Sequence, residues 1–212
     1  MRRSFLIVSI LLSVFNGNFF SQNERKLSES EKVVFEQKIV EQSKKIKTLQ
    51  CAFVQEKTSS LVVEKSVAKG VLLYQSPSAL RWEYSEPTSS TLILNGNNAA
   101  LLDKNGKKVG NEKMLKQLGG IIISMINGSG IAGNKQFTSE FYETGNAQLL
   151  VVLTPIQKRL KEFYSKIELK IDPKTLLANE IILNEKSGDK TVISLIDKKL
   201  NLEISSAKFK IK

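Results

Sequence analysis

Residues 70–87 read G-V-L-L-Y-Q-S-P-S-A-L-R-W-E-Y-S-E-P, and this stretch decides the fold. Successive side chains of a β-strand point to opposite faces of the sheet, so Leu80, Trp82 and Tyr84 share one face. Arg81 and the glutamate that follows the tryptophan lie on the other face. One face of this strand is therefore aromatic and apolar, whereas the other is charged.

The segment before this strand alternates in the same way, because Gly70, Leu72 and Tyr74 line up on one face. Between the two segments stands Ser-Pro-Ser at 76–78, where the proline fixes φ and cannot donate a ladder hydrogen bond, so a turn is predicted. The stretch predicts two adjacent strands with a common apolar wall. Such a wall fits an ordinary sheet core as well as a ligand-binding surface, and the pattern alone leaves both interpretations open.

Several short signatures surround these strands. They are Phe53-x-Gln55, Gly70 through Pro77, Arg81-Trp82, Pro87 and Asn95-Gly96. In the order and spacing of these signatures, the stretch from about Leu49 to Leu102 resembles the middle segment of the LolA family of periplasmic outer-membrane lipoprotein carriers. Beyond Leu102 the similarity is one of general strand pattern. The resemblance implies an open half-barrel sheet whose concave side is roofed by helices.

The first residues combine two arginines with a short apolar run, M-R-R-S-F-L-I-V-S-I-L-L-S-V-F, followed by small and polar residues. This layout is typical of a secretory signal peptide, and the run is too short for a permanent membrane anchor. A buried N-terminal helix is the alternative, but no amphipathic pattern organises the segment. We predict a signal peptide at residues 1–21, cleaved near Ser21-Gln22, and a single LolA-like domain at residues 22–212. The mature protein is expected in the periplasm.

The net charge is strongly basic, at +11, and it falls to +9 when Arg2 and Arg3 leave with the signal peptide. A basic excess attracts nucleic acids, anionic lipids or acidic proteins. Only five of the 32 basic residues are arginines, and the lysines are scattered over the chain. Proteins that read nucleic-acid sequence cluster the forked guanidinium group, so no nucleic-acid partner is predicted. A solvated surface, with weak attraction to anionic headgroups, is the simpler interpretation.

Periodicity and turn signals predict the elements along the chain. Ser28 and Glu31 form a capping box before an amphipathic helix, after which the apolar period changes to two from Thr48 to about Thr58. Hairpin signals follow at Asn95-Gly96 and at residues 104–107. Further strands are predicted at residues 136–143, 147–155, 166–172, 176–184, 191–197 and 207–211.

Residues 111–126, N-E-K-M-L-K-Q-L-G-G-I-I-I-S-M-I, carry apolar side chains at helical spacing and end before a glycine-containing tetrapeptide. Gly119-Gly120 interrupts the pattern, so two short helices and one kinked helix are both compatible with it. The complete pattern predicts an α+β fold that is mainly β. It predicts one curved antiparallel sheet of about eleven strands, covered by an N-terminal helix and a mid-chain helical insertion. The resemblance implies that this sheet is a half-barrel and that the mid-chain insertion is a helical lid over it.

The composition disfavours an enzyme. The absence of histidine excludes Ser-His-Asp and Cys-His nucleophiles and histidine metal sites, and the single Cys51, in a strand-like context, is expected to be buried. Glu83 and Glu86 could approach each other as an acid–base pair, although a solvated pair is the simpler interpretation. The glycines at 128–130 follow a helix rather than a strand, so they predict a helix C-cap rather than a phosphate loop. No catalytic residue, cofactor or metal is predicted.

With an enzyme disfavoured, the remaining class of function is the binding of an apolar ligand. The apolar mid-chain helix suggests a lid over a cavity, although the same helices could complete a solid core. The resemblance favours the cavity and implies a monomeric carrier of an acylated lipoprotein or lipid, with an inner-membrane exporter and an outer-membrane acceptor as partners. Candidate cavity-wall residues are Phe53, Leu72, Tyr74, Leu80, Trp82, Tyr84, Leu92 and Leu94. Candidate lid residues are Leu115, Leu118, Ile122, Met125 and Ile126.

Two features bear on how such a lid moves. Gly119-Gly120 and the glycines at 128–130 are predicted hinge points. Well-studied members of the family hold the lid with an arginine immediately before the proline of the strand pair, and this chain has Ser76 there. Arg81 points to the opposite face and is expected to be a surface or stacking partner. A lipid-sensing or scaffold protein of the cell envelope, using the same half-barrel without cargo hand-over, is the alternative function.

Overall fold

The structure, a computed structural model, describes residues 24–61, 65–126, 128, 130–131, 135–145 and 148–211, without the side chains of residues 114, 117 and 118. The predicted signal peptide at residues 1–21 lies outside this part of the chain. Within it, no helix has the length and apolar character needed to cross a membrane. The fold is described below for these residues.

One antiparallel sheet of twelve strands, not closed into a barrel, contains all the described strands. The half-barrel prediction is confirmed, with one strand more than the eleven expected. In spatial order the strands run β1-β8-β9-β10-β11-β12-β2-β3-β4-β5-β6-β7. Their bounds are β1 Arg25–Lys26, β2 Thr48–Thr58, β3 Lys65–Gln75, β4 Ala79–Glu86, β5 Ser90–Asn95, β6 Asn98–Leu102, β7 Lys108–Val109, β8 Phe137–Glu143, β9 Leu149–Pro155, β10 Tyr164–Ile171, β11 Ala178–Glu185 and β12 Lys190–Leu200.

The predicted apolar wall is present in β3 and β4. Leu72 lies opposite Trp82 and Tyr74 lies opposite Leu80, so their side chains stand on the same face of the sheet. All four are buried in the main core. We call this the inner face, since the two long helices cover it.

Three α-helices accompany the sheet: α1 Glu29–Lys45, α2 Glu112–Ile126 and α3 Lys158–Phe163. The capping box of α1 is confirmed, because the backbone N–H of Glu31 donates to Ser28 Oγ and the backbone N–H of Ser28 donates to Glu31 Oε2. Helix α2 is one continuous helix through both glycines, which decides between the two arrangements that the sequence allowed. Neither the short α3 nor the two-residue β1 was predicted.

The prediction of a last strand at residues 207–211 is wrong. Residues Ser206–Phe209 form a 3₁₀-helix, whose first turn begins with Ser205 Oγ accepting from the backbone N–H of Ala207. This segment lies on the outer face of the sheet, where Arg81 Nη1 donates to the carbonyl of Lys208 at 3.3 Å. Arg81 therefore does point away from the inner face, and it ties the C-terminal segment to β4.

Candidate functional site

A cavity of about 340 Å³ lies between α2 and the inner face of the sheet. Its volume is within the range of about 300–1,000 Å³ that is usual for small-molecule sites. We call it the hollow end. Helix α2 contributes Leu115, Ile121, Ile122 and Met125; strands β2, β4, β5 and β6 contribute Gln55, Lys57, Trp82, Tyr84, Leu92 and Leu101; strands β10, β11 and β12 contribute Tyr164, Ile167, Ile181, Leu183, Thr191 and Ile193.

Three aromatic rings form a cluster on one side of the hollow end. The Phe53 ring centroid lies 4.6 Å from that of Trp82 and 5.1 Å from that of Tyr84, the latter in an edge-to-face arrangement. Gly70 makes this cluster possible. A Cβ at Gly70 would lie 1.9 Å from the carbonyl oxygen of Glu83 and 2.7 Å from the tip of the Phe53 ring, so no larger residue fits beneath that ring.

Helix α2 approaches the sheet closely on one side only. A Cβ at Gly119 would lie 2.2 Å from a Leu94 methyl carbon, so the glycine lets the helix backbone rest directly on β5. The backbone of α2 runs near β5 and β6, whereas β10, β11 and β12 face the helix across the hollow end. Gly119 is thus a close-packing residue in an unbroken helix, and its role as a hinge stays a prediction.

Both ends of α2 are fastened without an arginine from the sheet. At its start, the pKa of Glu112 is lowered by its hydrogen bond with Lys116 and also by the backbone N–H of Ala99. At its end, Gly128 has a φ of +71° and packs against α1, where an added Cβ would lie 3.2 Å from Ser43 Oγ. Ser76, at the family arginine position, is exposed, and its N–H donates to the carbonyl of Lys47 at 2.8 Å.

Polar groups are concentrated at one edge of the hollow end. The Tyr84 hydroxyl donates to Gln55 Oε1 at 2.9 Å. Lys57 Nζ lies 3.1 Å from Glu185 Oε1 and 3.4 Å from Asp189 Oδ2, and these carboxylates raise its pKa. The one cation that lines the cavity is therefore already paired with two anions among the described residues.

A second cavity, of only about 30 Å³, lies under α1, and we call this region the filled end. Ile39 and Ile46 come from the helix side and Leu195 from β12. Lys198 also borders it: its Nζ donates to the carbonyl of Ala178 at 3.0 Å and, more closely, to Asn179. Burial lowers the pKa of Lys198.

The predicted site residues divide between these two regions and the core. Those that line the hollow end are Trp82, Tyr84, Leu92, Leu115, Ile122 and Met125. Ile126 borders the filled end, which Met125 also reaches. The core contains Phe53, Leu72, Tyr74, Leu80 and Leu94, which do not line the cavity. The side chain of Leu118 lies outside the described part of the structure.

The contribution of the C-terminal strands was missed by sequence reasoning. Six lining residues come from β10, β11 and β12, including Ile167, Ile181 and Ile193. Strands were predicted in this part of the chain, but only the position of β12 beside β2 brings their inward side chains opposite α2. A sequence signal does exist at Gln55, Lys57 and Thr191, which are polar residues on the same strand faces as the apolar Phe53 and Ile193.

The two carboxylates considered for acid–base catalysis each pair with a different cation. Glu83 pairs with Arg81 at 2.7 Å, and Glu86 pairs with Lys69 at 3.3 Å, so each carboxylate has its own cation. Within the described part of the chain, no group of three or more Cys, Asp or Glu residues is placed to hold a metal ion. Cys51 is buried as expected, and burial raises the pKa of its thiol to about 12.

The fold and the cavity define a class of protein. It is an open half-barrel whose inner face, under a mid-chain helix, contains an apolar cavity with a polar edge. Residues 44–212 match the family described as "Outer membrane lipoprotein carrier protein LolA". This chain belongs to the LolA family, as its middle segment predicted. The family is one of carrier or binding proteins for lipoproteins.

Solved structures that resemble this chain are distant in sequence. An uncharacterized conserved protein from Thermus thermophilus is 10% identical with a TM-score of 0.50, and the match covers 82% of this chain and 91% of that one. A LolA superfamily protein from Nitrosomonas europaea is 12% identical, covers 82% and 97%, and has a TM-score of 0.45. The lipoprotein LppX from Mycobacterium tuberculosis is 8% identical, covers 84% and 100%, and has a TM-score of 0.46. No curated protein matches the sequence.

Proposed function

We propose that this protein is a periplasmic carrier that shields the acyl chains of lipoproteins, or of a related lipid, in the hollow end and delivers them from the inner to the outer membrane. The observation that supports this most strongly is the cavity of about 340 Å³ beneath an apolar helix. Membership of the lipoprotein carrier family supports the same cargo class. Export through the signal peptide at residues 1–21, an inner-membrane exporter and an outer-membrane acceptor belong to the proposal.

The energetics of acyl binding explain why the lid rests on contacts that can be lost. Each CH₂ group taken from water contributes about 0.8 kcal/mol, so one long acyl chain gains on the order of 10 kcal/mol. A rigid cavity with that affinity would release its cargo too slowly for transfer. If a chain must displace α2 from Leu94 and from α1, the lost contacts offset part of that gain.

Native mass spectrometry of the protein purified from its own cell envelope tests the cargo. A carrier is expected to retain a lipid or an acylated peptide in a fraction of the molecules. The matched control is the Ile193→Phe variant, in which the larger ring occupies space in the hollow end and is expected to reduce the retained lipid. Equal retention by both proteins would place the lipid elsewhere on the molecule.

Delivery requires a separate experiment. Loaded protein is incubated with outer-membrane vesicles or with inner-membrane vesicles, and the acylated cargo on each is measured. A carrier is expected to lose its cargo preferentially to the outer-membrane vesicles. Cargo that stays on the protein, together with a stoichiometric membrane partner in a pull-down, would instead support a sensor or scaffold.

A further inference from the structure

Several strand connections meet at the end of the sheet that adjoins the hollow end. Thr58 ends β2 opposite Lys190, where β12 begins, and Tyr164 begins β10 opposite Glu185, where β11 ends. The last residues of β6 lie at the same end, because the pairing continues from β2 through β3, β4 and β5. We call the residues at this end the basic rim. They are residues 59–61, 87–89, 103–108, 156–163 and 186–190.

Hydrogen bonds fasten three of these connections to one another. The N–H of Ser60 donates to Asp189 Oδ1 at 2.9 Å, and the Ser60 hydroxyl donates to the carbonyl of Ser187 at 2.9 Å. At the start of the same turn, the N–H of Lys186 donates to the carbonyl of Phe163 at 2.8 Å. This side of the rim is therefore one connected surface rather than three separate loops.

The fold gathers at this rim cations that are scattered along the sequence. The rim contains eight Lys or Arg residues and three Asp or Glu residues, a net charge of +5. Glu64, outside the described residues, would lower this charge to +4. The connections at the other end of the sheet, at residues 46–47, 76–78, 96–97, 144–145, 172–177 and 201, have a net charge of +1. The eight cations of the rim are Lys104, Lys107, Lys108, Lys158, Arg159, Lys161, Lys186 and Lys190.

These eight cations are available to an external anion. All of them are exposed, and none forms an ion pair within 4.0 Å with a carboxylate of the described residues. Two lysines on the neighbouring strand ends differ from them. Lys57, which points into the cavity, is paired with Glu185 and Asp189, and Lys65 is paired with Glu56 at 3.7 Å.

Large apolar side chains are exposed among the cations of the rim. Leu61 is 92% exposed, Phe163 is 55% exposed and Ile156 is 45% exposed. Ile156 and Phe163 flank the basic helix α3, which is anchored by its buried Leu160. Exposed apolar side chains beside unpaired cations fit the headgroup region of a bilayer, where apolar groups leave water and cations meet phosphates.

The cavity of the hollow end reaches this rim. Lys57, Tyr164 and Thr191 line the cavity, and each lies first or second from the rim end of its strand. The filled end lies toward the other end of the sheet, where Ile46 and Leu177 border it. The exposed apolar and basic residues are thus beside the cavity that has room for an acyl chain.

We propose that the basic rim docks this protein directly on a bilayer surface that contains anionic phospholipid. Leu61, Ile156 and Phe163 lie at the level of the headgroups, and the surrounding cations contact the lipid phosphates. This orientation brings the hollow end against the leaflet. The charge alone would fit an acidic protein equally well, but the exposed apolar side chains favour the bilayer. The proposal goes beyond the proposed function, because docking needs no cargo in the cavity.

Flotation of the protein with lipid vesicles tests the docking. The vesicles consist of phosphatidylcholine alone or of phosphatidylcholine mixed with phosphatidylglycerol. We expect binding to the mixed vesicles at low salt, weaker binding at high salt because exposed charges are screened, and little binding to phosphatidylcholine alone. The triple variant Lys158→Gln, Arg159→Gln, Lys161→Gln is expected to bind at least tenfold more weakly, because each cation at an anionic surface changes the affinity about fivefold.

The matched control removes the same charge far from the rim. The triple variant Lys44→Gln, Lys45→Gln, Lys47→Gln changes three exposed lysines at the end of α1, toward the other end of the sheet. Its affinity for the mixed vesicles is expected to stay within about twofold of that of the unmodified protein, because charges beyond a Debye length from the bilayer are screened.

The position of the apolar side chains is measured separately. Phe163→Trp places a fluorophore in the rim, and the unmodified protein supplies the background from the buried Trp82. Mixed vesicles that contain brominated phosphatidylcholine are expected to quench the added fluorescence of Phe163→Trp. The control is Val33→Trp on α1, at a residue that is 47% exposed, and its added fluorescence should not be quenched.

Three outcomes would overturn the proposal. If the protein does not float with the mixed vesicles at low salt, the rim does not dock on lipid. If the two triple variants lose the same affinity, binding follows the net charge and not the rim. If the protein binds but Phe163→Trp is not quenched, the apolar side chains stay in water and an acidic protein is the better partner. The carrier proposal is unaffected by each of these results, because the retained lipid is measured without vesicles.

Discussion

The two helices that cover the inner face leave very different amounts of space beneath them. At the filled end, α1 and the neighbouring strands leave about 30 Å³, too little for more than a small group. At the hollow end, α2 leaves about 340 Å³. The two regions share strand β12, since Leu195 borders the filled end and Ile193, two residues away on the same face, lines the hollow end. The two ends thus lie on one continuous sheet under two different helices.

The glycine in α2 explains how a helix can touch the sheet and still leave a cavity. Gly119 brings the backbone of α2 down on Leu94 of β5, so the helix is close to one part of the sheet. The inward curve of the sheet carries β10 to β12 to the other side of α2, where only side chains reach toward it. Helix α2 is therefore seated tightly on β5 and leaves the cavity open on its other side only.

The largest expected effect is a difference in unfolding free energy between alanine variants of two neighbouring glycines of α2. A Cβ at Gly120 meets nothing within 4 Å, so Gly120→Ala is expected to raise the free energy of unfolding by about 1 kcal/mol through helix propensity. Gly119→Ala gains the same propensity but overlaps Leu94, and is expected to lower that free energy by about 1–3 kcal/mol. Urea unfolding of both variants measures the difference.

A compensating change tests the cause. The double variant Gly119→Ala with Leu94→Ala relieves the overlap. It should therefore lose less unfolding free energy than the sum of the losses in the two single variants. Additive losses, or equal stabilities for the two single glycine variants, would mean that α2 does not rest on Leu94.

The next effect compares the same enlargement at the two ends of the inner face. Leu195→Phe adds volume where about 30 Å³ is free, and overpacking is expected to cost about 1–3 kcal/mol. Ile193→Phe adds volume where about 340 Å³ is free, so its change in unfolding free energy is expected to stay within about 1 kcal/mol. Thermal and urea unfolding without lipid measure the stability of both variants. Similar losses in the two variants would contradict the expected difference between the two ends.

Acid is expected to loosen the edge of the hollow end. Asp189 accepts hydrogen bonds from the backbone N–H and the hydroxyl of Ser60. The backbone bond lowers the pKa of Asp189 most, and the Ser60 hydroxyl and Lys57 lower it less. A lowered pKa in the folded state stabilises the protein above the unfolded pKa of about 3.9, and this stabilisation is lost as the pH falls through the folded value. Asp189→Asn should therefore lose less stability between pH 6 and pH 3 than the unmodified protein.

The control for this pH dependence is Asp197→Asn, which removes an exposed carboxylate on β12, the strand that follows Asp189. Its acid-induced loss is expected to match that of the unmodified protein, as measured by the urea midpoint at each pH. An identical acid response of all three proteins would show that Asp189 does not stabilise this edge through its charge.

Local patterns made much of the fold predictable. The capping box at Ser28, the alternation of β3 and β4 and the turn at Asn95-Gly96 each depend on neighbours a few residues apart, and all three are present. The errors come from contacts between distant segments. Residues 207–211 alternate like a strand, yet Phe209 is buried on the outer face and the segment forms a 3₁₀-helix held by Arg81.

The site was less predictable than the fold for the same reason. Trp82 and Tyr84 were placed on the correct face, but the face extends over both ends, and only the position of α2 decides which inward side chains border open space. Gly119 illustrates the limit: the helical pattern gives no sign of its contact with Leu94, which lies 25 positions earlier in the chain.

The smallest expected effect is measured with two natural reporters, Cys51 near the filled end and Trp82 at the hollow end. Cys51, the only cysteine, lies on β2 near Leu49 of the filled end, and burial raises its thiol pKa to about 12, so almost no reactive thiolate exists at pH 8. Trp82 reports on the hollow end. Adding methyl dodecanoate should change the tryptophan fluorescence while the rate of Cys51 modification by a thiol reagent stays at that of the lipid-free protein.

Urea-unfolded protein, in which Cys51 should react completely, is the control for this measurement. A faster reaction of Cys51 on adding lipid would show that loading also opens the filled end, so that α1 and α2 move together. An unchanged rate would restrict the opening to α2, because α1 and its packing on Ile46 and Leu49 then remain in place while the acyl chain enters.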